Sequence, residues 1–192
     1  MLNILIINGH PNPNSFCHSL AKAYYDGAIE VQNDCQLINL EQLSFNPVLK
    51  HGYQQRTELE PDLLHCWESI LKADHIVWVY PNWWGTYPAL LKGFIDRLFL
   101  PGMAFQYRKN SPLVDQLLKG KSARIIVTMD SPGFYYNLWI HQSSHQTMSR
   151  SVLKFCGINP VKYSSFHGIK KSSEGKKDKW LSQAFELGKL SK

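Results

Sequence analysis

Cysteines close enough to act together are missing from this sequence: Cys17, Cys35, Cys66 and Cys156 stand far apart, with no C-x-x-C pair. That spacing signals neither a zinc site nor a disulfide framework, so no metal is expected and the thiols are expected to be reduced. No apolar run reaches the roughly 20 residues that a membrane span requires. The start, MLNILIING, enters a strand pattern directly, without a basic n-region or a cleavage site, and a cytoplasmic protein is expected. Neither a G-x-G-x-x-G fingerprint nor a P-loop is present. Acids are short as well: 15 Asp and Glu stand against 21 Lys and Arg, for a net charge of +6. Most of the excess lies between Lys162 and Lys192, where eight lysines meet only Glu174, Asp178 and Glu186. A run of this kind is usually a solvated helix face, and no aromatic interleaving or nucleic-acid motif accompanies it, so no nucleic-acid partner is expected. There is no repeat, low-complexity stretch or linker, and 192 residues fit one domain, 1–192.

What is there centres on HIVWVYPNWWGTYPALLKGFIDRLF, residues 75–99. Ile76 to Tyr80 is an apolar run without charge, the pattern of a strand buried on both faces of a parallel sheet. Pro81 breaks it. Asn82, Trp83, Trp84 and Gly85 form a short loop, Pro88 suits the first turn of a helix, and Leu91, Ile95 and Leu98 mark that helix's inner face. Aromatic surface and free backbone N–H groups thus lie at the carboxyl end of a strand, the edge where open α/β sheets bind ligands. Two tryptophans in so tight a connection, with a glycine beside them, suit a planar π-rich cofactor better than simple packing.

From the start of the chain, Ile4–Ile7 reads as a strand, and the turn-rich NGHPNPN leads to Ser15, a natural N-cap for a helix with Leu20, Tyr24 and Ala28 facing inward. A helix N-terminus at that place offers free N–H groups and a positive dipole end to an anion. Cys35–Leu40 is a second strand, 50–60 a polar loop, and Pro61 opens a helix towards the central strand. The Pro- and Gly-punctuated insertion after Phe99 precedes a strand at Arg124–Met129 and reads as a lid or pocket wall. Ser131, Pro132 and Gly133 turn the chain into a helix expected to run to about Phe155. Val161–Phe166 is a fifth strand, and a closing helix begins at Ser173. Five strands alternating with helices predict a doubly wound α/β sheet whose loops after strands one, three and four converge on one ligand.

YPNWWGTYPALLKGFIDRLF, with ILIINGHPNPNSF, NLEQLSFNP and ADHIVWVYP, resembles the NAD(P)H quinone oxidoreductases of flavodoxin-like fold, the DT-diaphorase-like family with its bacterial relatives. The resemblance covers nearly the whole chain and implies a five-stranded parallel sheet in the order 2-1-3-4-5, with helices on both faces. It implies a flavin whose phosphate is held by His10, Ser15, Phe16 and Cys17 and whose ring lies against Pro81, Asn82, Trp83, Trp84 and Gly85. Thr128, Met129, Asp130 and Ser131 would close the other edge. A Tyr and a His near the edge of the ring where negative charge builds are also implied; Tyr135 and His141 match by mutual spacing, while Tyr136 fits equally well counted from Thr128. The loop departs from the family's frequent Gly pair in having Asp130 and Ser131 before Pro132. A carboxylate beside a reduced flavin would oppose reduction, so Asp130 is expected to contribute its backbone only.

The activity implied is hydride transfer from NAD(P)H through the flavin to a quinone or similar acceptor, by ping-pong kinetics in a homodimer. FMN is favoured over FAD because the chain is short and lacks an evident segment for an adenine, with FAD left open. Two other readings stay open: a flavin-binding regulatory subunit of a potassium-efflux transporter, and a one-electron flavodoxin carrier. The carrier ranks last, because such carriers are typically acidic and have a Ser/Thr-rich first loop where this chain has HPNPNSF.

Overall fold

The computed structural model describes residues 1–191. The elements are β1 (Asn3–Asn8), α1 (Phe16–Glu30), β2 (Asp34–Asn39), α2 (Pro61–Lys72), β3 (His75–Pro81), α3 (Ala89–Leu98), β4 (Phe105–Tyr107), β5 (Val114–Gln116), β6 (Ser122–Met129), α4 (Gly133–Leu138), α5 (Ser143–Gln146), β7 (Val161–His167) and α6 (Glu174–Leu190). Five strands form one sheet in the order β2-β1-β3-β6-β7, every neighbouring pair parallel. Counted within the sheet this is 2-1-3-4-5, the flavodoxin-like arrangement that the resemblance implies.

The charge-free run at 76–80 becomes the centre of the sheet because only a strand covered on both faces can bury every residue, and all seven residues of β3 are buried. Its side chains alternate between two cores. Ile76, Trp78 and Tyr80 pack with Leu63, Leu91, Phe94 and Leu98 under α2 and α3, while Val77 and Val79 pack with Leu20, Tyr24 and Ala184 under α1 and α6. On that second face the helices α1 and α6 lie backbone against backbone. A Cβ at Gly27 would fall 2.0 Å from the carbonyl oxygen of Phe185, and one at Gly188 would fall 2.1 Å from that of Tyr24, so only glycine permits the approach.

The polar loop before α2 is pinned from below by Arg97 of α3, whose side chain is buried. Its guanidinium donates to the carbonyls of Asn46 and Glu58 and to both carboxylate oxygens of Glu60 (2.8 and 3.0 Å). Burial alone would raise the Glu60 pKa, but its hydrogen bonds with Arg97 and the Asn46 amide outweigh that and hold it below its ordinary value.

Two stretches differ from their sequence reading. The insertion after α3 is not loop throughout, because β4 and β5 pair antiparallel as a small hairpin. The helix expected from Gly133 to Phe155 is interrupted: His141 and Gln142 both take positive φ (49° and 52°), which no helix accommodates, separating α4 from α5. Beyond α5 the chain continues through Thr147–Lys154 as a π-helix. Among the described residues no helix is long and apolar enough to cross a membrane.

Candidate functional site

Three loops leave the carboxyl ends of β1, β3 and β6 side by side, held in register by the ladder. The Gly9 amide donates to Val79 O (2.8 Å) and the Asn82 amide to Thr128 O (2.7 Å), so the first and fourth loops both bond to the chain of the third. Between them lies an open cleft of about 270 Å³. His10, Ser15, Phe16 and Cys17 line it from the first loop, Pro81, Asn82 and Trp83 from the third, and Thr128, Met129 and Asp130 from the fourth. Sequence reasoning missed Asn12, Ile169 and Lys170, which line it too. Ile169 and Lys170 follow β7, whose C-terminal edge was not among the loops expected to converge. The alternation of strands gives that edge the same orientation, which was the available signal.

The first loop is built to leave donors free. Asn8, Asn12 and Ser15 fold it through local bonds: the Asn8 side chain accepts from the His10 amide (3.2 Å), Asn12 from that of Asn14 (2.9 Å), and Ser15 caps α1 by accepting from the His18 amide (3.3 Å). The amides of Phe16 and Cys17, in the first turn, have no acceptor among the described residues, as expected at a helix N-terminus. His10 Nδ1 accepts from the Asn12 amide (3.0 Å), so the neutral ring carries its proton on Nε2 as a further donor. Burial lowers the His10 pKa, against an opposing effect of the Asn12 bond. The ring meets Trp83 edge-on at 5.5 Å between centroids. Cys17 Sγ and Thr128 Oγ1 lie 3.1 Å apart on the cleft floor, and burial pushes the Cys17 thiol up to about 12. This thiol is therefore wall, not nucleophile.

The third loop is a tight two-residue turn. Trp83 and Thr86 exchange backbone hydrogen bonds, and Trp84 and Gly85 between them both take positive φ (53° and 78°), as in a type I′ turn. Asn or Gly is the usual first residue of such a turn, and a tryptophan there is strained. Trp84 gains no burial in return, being fully exposed at the tip, and only Trp83 of the pair lines the cleft. Gly85 faces α5, where its carbonyl accepts from Ser143 Oγ.

The fourth loop directs Asp130 outward. Its Oδ1 accepts from the Lys170 amide (2.8 Å) and its Oδ2 lies 3.8 Å from Lys170 Nζ, so the carboxylate is engaged at the rim. Ser131 does not line the cleft; its carbonyl lies 3.1 Å from His167 Nδ1.

Tyr135 and His141 are exposed, and no hydrogen bond or ring contact between them occurs among the described residues. Tyr136 is buried, and its partner is His145, a residue the sequence reading did not select: the Tyr136 hydroxyl lies 2.7 Å from His145 Nδ1 and accepts from the His145 amide (3.3 Å). His145 Nε2 lies 3.1 Å from Ser165 Oγ. Burial, aided by the charge of His167, depresses the His145 pKa to about 4. This neutral chain of hydrogen bonds braces α4 beneath the fourth loop. Sequence spacing missed it because the break at His141 and Gln142 moves the partner beyond the spacing a continuous connection would give. Among the described residues no group of side chains could hold a metal ion.

Residues 2–186 match a family model described as flavodoxin-like fold. The chain is 30% identical over 173 residues to an uncharacterised NAD(P)H oxidoreductase of Haemophilus influenzae, covering 88% of this chain and 85% of that protein. It is 30% identical over 191 residues to a Listeria monocytogenes protein named FMN-dependent NADH:quinone oxidoreductase 2, covering 88% of each. In three dimensions it superposes on the crystal structure of Smu.1420 from Streptococcus mutans with a TM-score of 0.84 at 29% identity, over 97% of this chain and 98% of that one. An NAD(P)H:quinone oxidoreductase from Methanothermobacter marburgensis shares the fold with the same TM-score at 21% identity, over 100% and 99%. The chain belongs to the flavodoxin-like family of NAD(P)H quinone oxidoreductases.

Proposed function

We propose that this chain is an FMN-dependent enzyme that takes a hydride from NAD(P)H and delivers it to a quinone or similar flat acceptor. The observation that carries the reading is the cleft itself, where free helix-terminal amides and His10 meet the wall of Trp83 and Asn82. The residues fit the group. The side-chain oxygen of Asn82 is buried without a hydrogen-bond partner, an acceptor left open for an N–H such as the one an isoalloxazine ring carries. Phosphate would be held by the Phe16 and Cys17 amides and His10, and no carboxylate opposes it there, because Asp130 is engaged by Lys170. FMN when bound supplies the two-electron chemistry.

The chain's own residues bind and orient. Trp83 gives an aromatic wall, Cys17 and Thr128 a floor closed to water, and the Tyr136–His145 pair keeps α4 fixed behind the fourth loop. The relatives' names support NAD(P)H as donor and a quinone as acceptor. One cleft serving both substrates must release the oxidised nicotinamide before the acceptor enters, which is ping-pong order. Trp84, Phe134, Leu138 and Trp139 are exposed large apolar side chains, a surface that a second copy of the chain would cover in a homodimer. Free thiols support a reducing, cytoplasmic setting.

The deciding experiment purifies the protein, identifies released flavin by mass, and measures NADH and NADPH oxidation against a soluble quinone. Bound FMN and parallel double-reciprocal lines are expected. Protein that is colourless and takes up no added FMN would remove the reading, and intersecting lines would remove the shared-cleft order.

A further inference from the structure

Away from the cleft, a small polar cavity of about 80 Å³ lies along the helix that begins at α5. Gln142, Gln146, Arg150 and Lys154 line it at intervals of four residues, with Tyr163 of β7 opposite and His145 as its inner wall. Gln146 closes α5, and Arg150 and Lys154 follow it in the π-helix of Thr147–Lys154, whereas Gln142 is the left-handed residue before α5.

The cavity's chemistry has one sign. Arg150 and Lys154 both line it, and no carboxylate does. Each ion pair among the described residues is made elsewhere, and neither Arg150 nor Lys154 takes part in one. Like charges four residues apart on a helix repel, and no ion pair among the described residues offsets them here. The side chains of Gln146 and Tyr163 also have no hydrogen-bond partner among the described residues, whereas both ring nitrogens of His145 are already engaged. Cationic and neutral donors without a partner among the described residues therefore line one small open pocket.

We propose that this cavity is a binding site for one tetrahedral oxyanion, phosphate or sulfate, held by Arg150 and Lys154 with Gln146 and Tyr163 as neutral donors. It is separate from the FMN cleft, with which it shares no lining residue, and it does not depend on the redox reading. Its lining includes His145, whose Nδ1 lies 2.7 Å from the Tyr136 hydroxyl of α4.

The test is thermal unfolding of FMN-saturated protein, which occupies the anion end of the main cleft, in inorganic phosphate against sodium chloride at matched ionic strength. At ten times its dissociation constant phosphate should raise the melting temperature by about 3 °C. The exposed pair Arg150→Ala/Lys154→Ala should abolish the rise, and Lys50→Ala/Lys109→Ala, which removes the same charge elsewhere, should keep it. Repeating the titration with glycerol 3-phosphate distinguishes a free ion from a phosphate carried on a metabolite, and a rise with either that Arg150 and Lys154 control upholds the site. No rise with either, an equal rise in the Arg150/Lys154 variant, or an equal loss in the control variant would overturn it. If the protein binds no FMN, the contrast between the two double variants still decides, since the α1 end is intact in both.

Discussion

Acid should unfold this protein partly through His145. Its ring is 3% exposed, with Tyr136 and Ser165 on its two nitrogens, and its pKa falls from 6.5 to about 4 through burial and then the charge of His167. Between those values the unfolded chain holds a proton that the folded chain does not, so stability rises with pH across this window and is lost as pH falls through it. From pH 7 to pH 5 the loss assigned to this one residue is about 2 kcal/mol. His75, also buried and held down to about 4, adds a similar term in the same direction. The assay is urea unfolding of the wild type and His145→Gln at pH 7, 6 and 5. Glutamine can still bond Tyr136 and does not titrate, so the variant should be less stable at pH 7 but lose about 2 kcal/mol less on going to pH 5, with the His75 term cancelling between the two. If both proteins lose stability equally, His145 is not kept neutral by the fold and the brace beneath α4 is wrongly drawn.

Trp84→Gly relieves the positive φ at a position whose side chain touches nothing; stability should rise by about 0.5–1 kcal/mol in chemical denaturation. If the indole serves the ring or the second copy, FMN affinity or dimer affinity should fall in the same variant, and loss of stability would contradict the turn assignment. Cys17, buried and pushed up to about 12, should resist a thiol reagent at pH 8 in the folded protein and react fully after unfolding; rapid labelling of Cys17 in native protein, mapped by mass, would contradict the closed floor. Gly188→Ala drives a methyl into the Tyr24 carbonyl and should cost about 3 kcal/mol or more in urea unfolding, with an unchanged midpoint refuting the close helix approach.

The sheet was legible because its signals are local and redundant. An apolar run such as Ile76–Tyr80 has few fates, and Ser15 both ends a loop and starts a helix. The first-loop wall of the cleft lies where that cap places it. Trp83 and Trp84 show where adjacency in sequence stops being informative, since a turn with two positive φ values sends neighbours in different directions and only one faces the cleft. His145 was hidden for the complementary reason: the two left-handed residues before α5 are a tertiary choice with no strong local signature, and the spacing rule that favoured His141 assumes that break away. Lys170 was hidden because it contributes through an amide bonded to Asp130, and backbone contributions leave little mark on residue type.

The contact between Gly27 and Phe185, and between Gly188 and Tyr24, has a consequence for biosynthesis. The helix whose first-turn amides lack an acceptor has Leu20, Tyr24 and Ala28 against the sheet and is flanked on the same face by a helix that starts at Glu174. On a translating ribosome adding 5–20 residues per second, the interval between the emergence of α1 and that of α6 is on the order of ten seconds. During that time the first helix lacks its neighbour on that face, and its small-residue seam is uncovered. A nascent chain stalled within β7 would therefore leave that seam uncovered.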